Sequence, residues 1–148
     1  MKKILFLAAF AVALVGCGHQ KNVSKTHKTS AVVETLPENI NFSTSFRAFW
    51  DDFHKDTKGA KTLENYVPSE AFQKHPAVSN VNNVFVVSGY LTITSSFDQA
   101  AFEALGGTLT QLDATTVTFK MRLTKLPEMI QLQGIESVEA AIKVFRRN

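Results

Sequence analysis

Val84-Phe85-Val86-Val87-Ser88-Gly89-Tyr90-Leu91-Thr92-Ile93 is the stretch on which the reading of the chain turns. A run this rich in β-branched and aromatic residues is a strand. Downstream of it the apolar spacing changes. Phe97, Ala101, Ala104 and Leu105 share one helical face, so residues 97–105 are expected as a helix, capped by Ser95 or Ser96 and stopped by Gly106-Gly107. Residues 108–112 read as a short strand and Asp113-Ala114 as a tight turn. In residues 115–123 the alternation is clean: Val117, Phe119, Met121 and Leu123 face one way, Thr116, Thr118, Lys120 and Arg122 the other. Thr124 is expected to cap a short helix with Pro127 in its first turn and Leu126, Met129, Ile130 and Leu132 as its apolar residues, ended by Gly134. Residues 137–145 alternate again, with Val138, Ala140, Ile142 and Val144 on one side.

That order, βαββαβ, predicts an α+β domain of ferredoxin-like type, a four-stranded antiparallel sheet with two helices on one face. Its two crossovers take the ordinary right-handed form. Each strand has an inward apolar row and each helix one apolar stripe, so the local patterns agree with a single architecture.

Upstream lies an N-terminal helical extension, residues 43–75. Phe46, Phe49, Trp50 and Phe53 fall at i, i+3, i+4 and i+7 and form one aromatic stripe, with Asp51, Asp52 and Lys55 off it. Ser43 or Thr44 caps the start and Gly59 marks the end. Such a stripe is expected in the core, the alternative being a groove-binding or dimerising helix. Pro68, Pro76, Asn80, Asn82 and Asn83 read as a long connection with a short helix at residues 69–74. The folded part is thus residues 36–148, with 43–83 as helical extension and loop and 84–148 as the core.

Residues 84–145 carry a resemblance. Val86-Val87-Ser88-Gly89-Tyr90-Leu91-Thr92, the helix around Phe97-Asp98-Gln99-Ala100-Ala101-Phe102-Glu103-Ala104-Leu105-Gly106, and above all Leu123-Thr124-Lys125-Leu126-Pro127-Glu128-Met129-Ile130 with Gly134-Ile135-Glu136-Ser137-Val138-Glu139-Ala140 resemble the propeptide and peptidase-inhibitor (I9-like) domains of subtilisin-like serine proteases, as found at the N-terminus of such proteases in Bacteroidetes-type bacteria. The resemblance implies that the helix-free sheet face packs on a protease surface while the C-terminal tail runs into the substrate cleft, with affinity from main-chain pairing and a few side-chain pockets. On this sequence the implied surface is Tyr90, Thr118, Lys120 and Arg122, and the implied tail is Val144-Phe145-Arg146-Arg147-Asn148. Nothing follows Asn148, so the protease is expected to be a separate molecule. The competing expectation is an envelope protein–protein interaction domain that reuses this frame without inhibiting a protease.

The first residues read Met1-Lys2-Lys3, an apolar run through residues 4–15, then Gly16-Cys17. This is the layout of a signal peptide, and the run falls short of the roughly 20 apolar residues that span a bilayer. Leu14-Val15-Gly16-Cys17 resembles the lipobox of bacterial lipoproteins. The resemblance implies cleavage after Gly16, diacylglycerol on the Cys17 sulfur and a further acyl chain on the new N-terminus. Several acyl chains make a durable membrane anchor where one does not. Residues 17–35 then form a polar tether. The tether also explains the basic charge. Lys2, Lys3, Lys21, Lys25 and Lys28 account for five of the 16 Lys and Arg, leaving 11 against 13 acids, so the domain itself is slightly acidic. Nucleic acid is therefore not an expected partner. The expected location is the cell envelope, lipid-anchored on the periplasm-facing side of the outer membrane, because no acid follows Cys17 closely.

Cys17 is the sole cysteine, so its lipidation leaves the domain without disulfide, thiolate metal site or cysteine nucleophile. His19, His27, His54 and His75 lack metal-ligand spacing, and Ser88-Gly89 lacks the pattern of an activated serine. No catalytic residue, metal, cofactor or small-molecule substrate is expected; the protein reads as a binder. Cys17→Ser is expected to abolish incorporation of radiolabelled fatty acid and to release the protein from the membrane fraction, as autoradiography of a metabolically labelled culture would show.

Overall fold

The structure is a computed structural model and describes residues 35–60 and 62–142. Residues 1–34, with Cys17 and all but the last residue of the expected tether, and the tail residues Val144, Phe145, Arg146, Arg147 and Asn148 lie outside the described residues. The domain is α+β, with four helices and a mixed six-stranded sheet among the described residues.

The long strand β3 (Val84–Ile93) runs through the middle of the sheet. One edge pairs antiparallel with β5 (Thr116–Arg122), which in turn pairs with β4 (Thr108–Gln111). The other edge is shared. Its first half pairs with β2 (Val78–Val81) and its second half with β6 (Ile135–Ala140), both antiparallel. A two-residue strand, β1 (Asn41–Phe42), completes the sheet by lying parallel to β6.

The expected four-stranded antiparallel sheet is therefore only part of the observed one, whose central order is β6-β3-β5-β4. Two strands were not foreseen. Asn82 and Asn83 do not form a loose connection: both take left-handed φ values, 51° and 63°, and make the two-residue turn that closes β2 onto β3. Asparagine tolerates that region better than other side chains, and the twist of this turn suits a hairpin. β1 forms because the chain entering the first helix passes β6 closely enough for Ser43 N–H to donate to the Val138 carbonyl at 3.1 Å.

The expected strand 137–145 also needs correction. β6 begins at Ile135 and ends at Ala140. Gly89 is opposite Ala140, and Val87 is already opposite Val78, so β2 occupies the edge along which β6 would have continued. The two meet at Ser88, whose N–H donates to Ala77 at 3.0 Å and whose carbonyl accepts from Ala141 at 3.0 Å.

The aromatic stripe lies on α1 (Thr44–Asp56), capped by Ser43, whose hydroxyl accepts from Phe46 N–H at 3.1 Å. Phe46, Phe49, Trp50 and Phe53 are all buried, in one cluster with Val87, Leu91, Val117, Phe119, Met121 and Val138 of the sheet. Phe72 of α2 (Glu70–Gln73), Phe102 of α3 (Gln99–Ala104) and Leu126 and Met129 of α4 (Leu126–Met129) join the same cluster. Among the described residues, the buried apolar side chains of this core run from Ile40 to Ala140.

Two helices differ from expectation. In α3 the cap is Asp98, not Ser95 or Ser96, and its carboxylate accepts from Ala101 N–H at 2.9 Å. Its buried residue is Phe102 rather than Ala101 or Ala104, because a large ring gains more from leaving water than a methyl group. The second helix starts as a 3-10 turn at Leu123–Lys125 without a side-chain cap from Thr124, and α4 follows as a single turn.

Gly89 sits where β3 is squeezed from two sides. A Cβ there would lie 2.1 Å from the Glu139 carbonyl and 2.7 Å from the Phe119 ring. Gly89→Ala is expected to destabilise the domain by at least about 2 kcal/mol, the cost of overpacking against backbone that cannot retreat, read as a fall in the urea midpoint.

Candidate functional site

The inward row of the sheet is consumed by the core, and the other face is open. Strand alternation places Ser88, Tyr90 and Thr92 of β3 on that open face. Beside them stand Thr116, Thr118, Lys120 and Arg122 of β5, Thr108 and Thr110 of β4, and Ser137 and Glu139 of β6. The four surface residues expected from the sequence are thus brought to one face. Tyr90 lies directly across from Thr118, Lys120 across from Ser88, and Arg122 across from Val86. Tyr90 is 42 % exposed, and Lys120 and Arg122 are exposed as well.

Sequence reasoning missed the rest of this surface. Ser88, Thr108, Thr110 and Ala141 join Tyr90, Thr118 and Lys120 around a shallow depression of ≈ 310 Å³. Ser88 was legible from its i−2 relation to Tyr90. Thr108, Thr110 and Ala141 were not, since only strand pairing brings β4 and the end of β6 to the same spot. Ala141 matters for another reason. It is hydrogen-bonded to Ser88 and followed by Ile142, which is 62 % exposed, so the chain leaves the sheet beside this depression. Val86, across from Arg122, is buried although it points to the open side.

A second concavity, ≈ 400 Å³, lies against the helical extension and is lined by Asp52, Lys55, Asp56, Ser69, Lys74 and His75, among others. Its polar groups have structural work. Asp56, the last residue of α1, accepts from Ser69 N–H at 3.0 Å and from the hydroxyls of Ser69 and Tyr66, which fastens α1 to the segment leading into α2. Burial alone would raise the Asp56 pKa, but the hydrogen bonds from Ser69 and Tyr66 outweigh it and hold it below the usual 3.8. Burial and the Asp56 carboxylate together push the Tyr66 phenol well above its ordinary 10.0. The adjacent acids are divided: Asp52 pairs with Lys55 at 3.1 Å on the exposed side of the helix.

The described histidines are packing residues in part. His54 lies against Trp50 with ring centres 5.3 Å apart, and His75 meets Phe49 edge-on at 4.8 Å. His75 Nδ1 accepts from Ala77 N–H at 3.2 Å, and the Ala77 carbonyl in turn accepts from Ser88. His19 and His27 lie outside the described residues. No group of three or more His, Cys, Asp or Glu among the described residues could hold a metal ion, and no described helix is long and apolar enough to cross a membrane.

Compared with protein-family models, with curated proteins and with solved structures, the chain matches none.

Burial depresses the His75 pKa below its ordinary 6.5, against the opposing pull of Asp52. A folded-state pKa below the unfolded one stabilises the domain above that unfolded value and ceases to do so as pH falls through the folded one. The denaturant midpoint is therefore expected to decline as pH drops from 7 to 5, and His75→Gln to flatten that decline. Asp56 has the same sign and adds a loss only at more acid pH, below its ordinary 3.8. Tyr66 has the opposite sign, so its contribution wanes above pH 10.0.

Proposed function

We propose that this chain is a non-enzymatic, membrane-tethered binding protein, a propeptide-like inhibitor or folding helper of a separate secreted protease. The observation that carries the reading is the juxtaposition of a solvent-facing sheet surface, helix-free among the described residues, with the end of β6 at Ala140 and the exposed Ile142 that follows it. A surface that docks and a tail that departs from its rim are the two parts such an inhibitor needs. The central β6-β3-β5-β4 order, antiparallel throughout, supports a ferredoxin-like frame at the heart of the larger sheet. β1 and β2 are then additions at its margins.

Binding rather than catalysis is supported by the depression's lining of hydroxyls and one lysine, without a histidine to activate them. Cys17, in this reading, ends a tether that holds the domain close to a membrane, where newly secreted proteases emerge. The tail residues 144–148 enter the protease cleft while Tyr90, Thr118, Lys120 and Arg122 rest on the protease surface.

The test is inhibition of subtilisin-like and cysteine proteases by the chain from Ala31 to Asn148. Removal of residues 144–148 is expected to weaken inhibition about a hundredfold, as loss of an anchor with its main-chain pairing would. Lys120→Glu with Arg122→Glu is expected to slow association while leaving the circular-dichroism spectrum unchanged. Inhibition indifferent to tail removal, or digestion of the chain without inhibition, overturns the proposal. Stable binding to envelope proteins without inhibition would favour an interaction domain instead.

A further inference from the structure

Lys120 and Arg122 bring to the open face two cations with no ion-pair partner among the described residues. The ion pairs among the described residues, Lys55 with Asp52 and Lys125 with Glu128, lie elsewhere. Glu139 shares the open face but sits on β6, with β3 between it and β5. Neighbouring strands are about 4.8 Å apart, so two strand spacings separate Glu139 from the line of Lys120. Exposed charges that far apart are largely screened at physiological salt.

Lys120 stands between Ser88 on β3 and Thr108 on β4. Thr110, Thr118 and Tyr90 form the next row, and these six side chains surround most of the ≈ 310 Å³ depression. Thr118 donates weakly to the Thr110 carbonyl at 3.5 Å, whereas the hydroxyls of Ser88, Tyr90 and Thr108 have no side-chain partner among the described residues. The recess thus presents an ammonium and several uncommitted hydroxyl donors to solvent. An ammonium has three donors and no acceptor, and a hydroxyl turns its proton toward whatever accepts. The complementary ligand is an anion with several acceptor oxygens, held by charge-assisted hydrogen bonds.

We infer that this recess receives a carboxylate, the side chain of an aspartate or glutamate on the partner protein's surface. The inference rests on the docking reading for the carrier of the carboxylate, and deepens it by stating what the carrier must present. The recess is shallow, and its ≈ 310 Å³ is room enough for one side chain. Tyr90, 42 % exposed at its rim, offers the aromatic surface over which an adjoining polypeptide can lie. A cation beside an exposed aromatic is the composition of an interface anchor, and the uncompensated charge of Arg122 adds steering toward an acidic surface.

The probe is a capped Ala-Ala-Glu-Ala-Ala peptide, with its Gln counterpart and inorganic phosphate as controls, titrated into ¹⁵N-labelled chain from Ala31 to Asn148. Expected are saturable amide shifts gathered at Ser88, Thr108, Thr118 and Lys120 with the Glu peptide and absent with the Gln peptide. Lys120→Met should weaken them about tenfold, the size of one hydrogen bond to a charged group, while the remaining spectrum stays folded. Equal shifts from the Gln peptide, shifts centred on Lys55 and Lys74 instead, or a response to phosphate alone would overturn the inference. The two proposals fail separately. Glu-peptide binding without inhibition of any protease upholds the recess and sinks the protease reading. Undiminished protease inhibition by the Lys120→Met variant sinks the recess and leaves the protease reading standing.

Discussion

Backbone N–H and C=O groups in the interior must find partners, and in this domain the demand is concentrated on β3. Its ten residues are flanked along one edge by β5 and along the other by β2 and then β6. Two segments therefore share a single edge, and the boundary between them is Ser88, bonded to Ala77 on one side and Ala141 on the other. That boundary ends β6 at Ala140, beside the hydroxyl-lined depression. Gly89 adjoins it because the strands approach there too closely for any side chain. The position of the candidate site follows from how one strand's hydrogen bonds are divided.

The helical extension completes the fold by closing the apolar side of the sheet. Phe46, Phe49, Trp50 and Phe53 bury a continuous aromatic surface, each ring contributing about 1.5–3 kcal/mol from the area it removes from water. Phe49 and Phe53 stack nearly parallel, 6.3 Å apart, and both reach Phe72 of α2. The same packing leaves Trp50 Nε1 buried with no acceptor among the described residues, a cost of about 1–3 kcal/mol that the surrounding apolar burial exceeds. Asp56 ties the end of α1 to Tyr66 and Ser69, and this network holds the extension together where no sheet hydrogen bond reaches.

The two faces of the sheet consequently carry different chemistry. One is spent on stability; the other, rich in hydroxyls and with two cations unpaired among the described residues, buries little beyond Val86. Exposed cations at the rim of such a face act at a distance and contribute to association rates as well as to affinity.

Much of this was legible along the chain. Period-two alternation in residues 115–123 marked the inward row of Val117, Phe119 and Met121 and, by the same alternation, the outward row of Thr118, Lys120 and Arg122. The i, i+3, i+4, i+7 spacing of Phe46, Phe49, Trp50 and Phe53 marked a buried helix face. Local periodicity reports which way a side chain points, and these residues obey it. It does not report which strands lie side by side. Nothing local to residues 137–145 shows that β2 holds the edge they would need, and two asparagines read as a loose loop until their left-handed turn is set against Val81 and Val84. The short 42-to-43 passage beside β6 is likewise invisible without its partner. The sequence determined the central strands, the aromatic helix and the faces these elements bury. Only the tertiary structure decided the sheet order and the gathering of Thr108, Ser88 and Lys120 at the point where the chain departs, because hydrogen-bond partners on distant strands are chosen by competition for an edge.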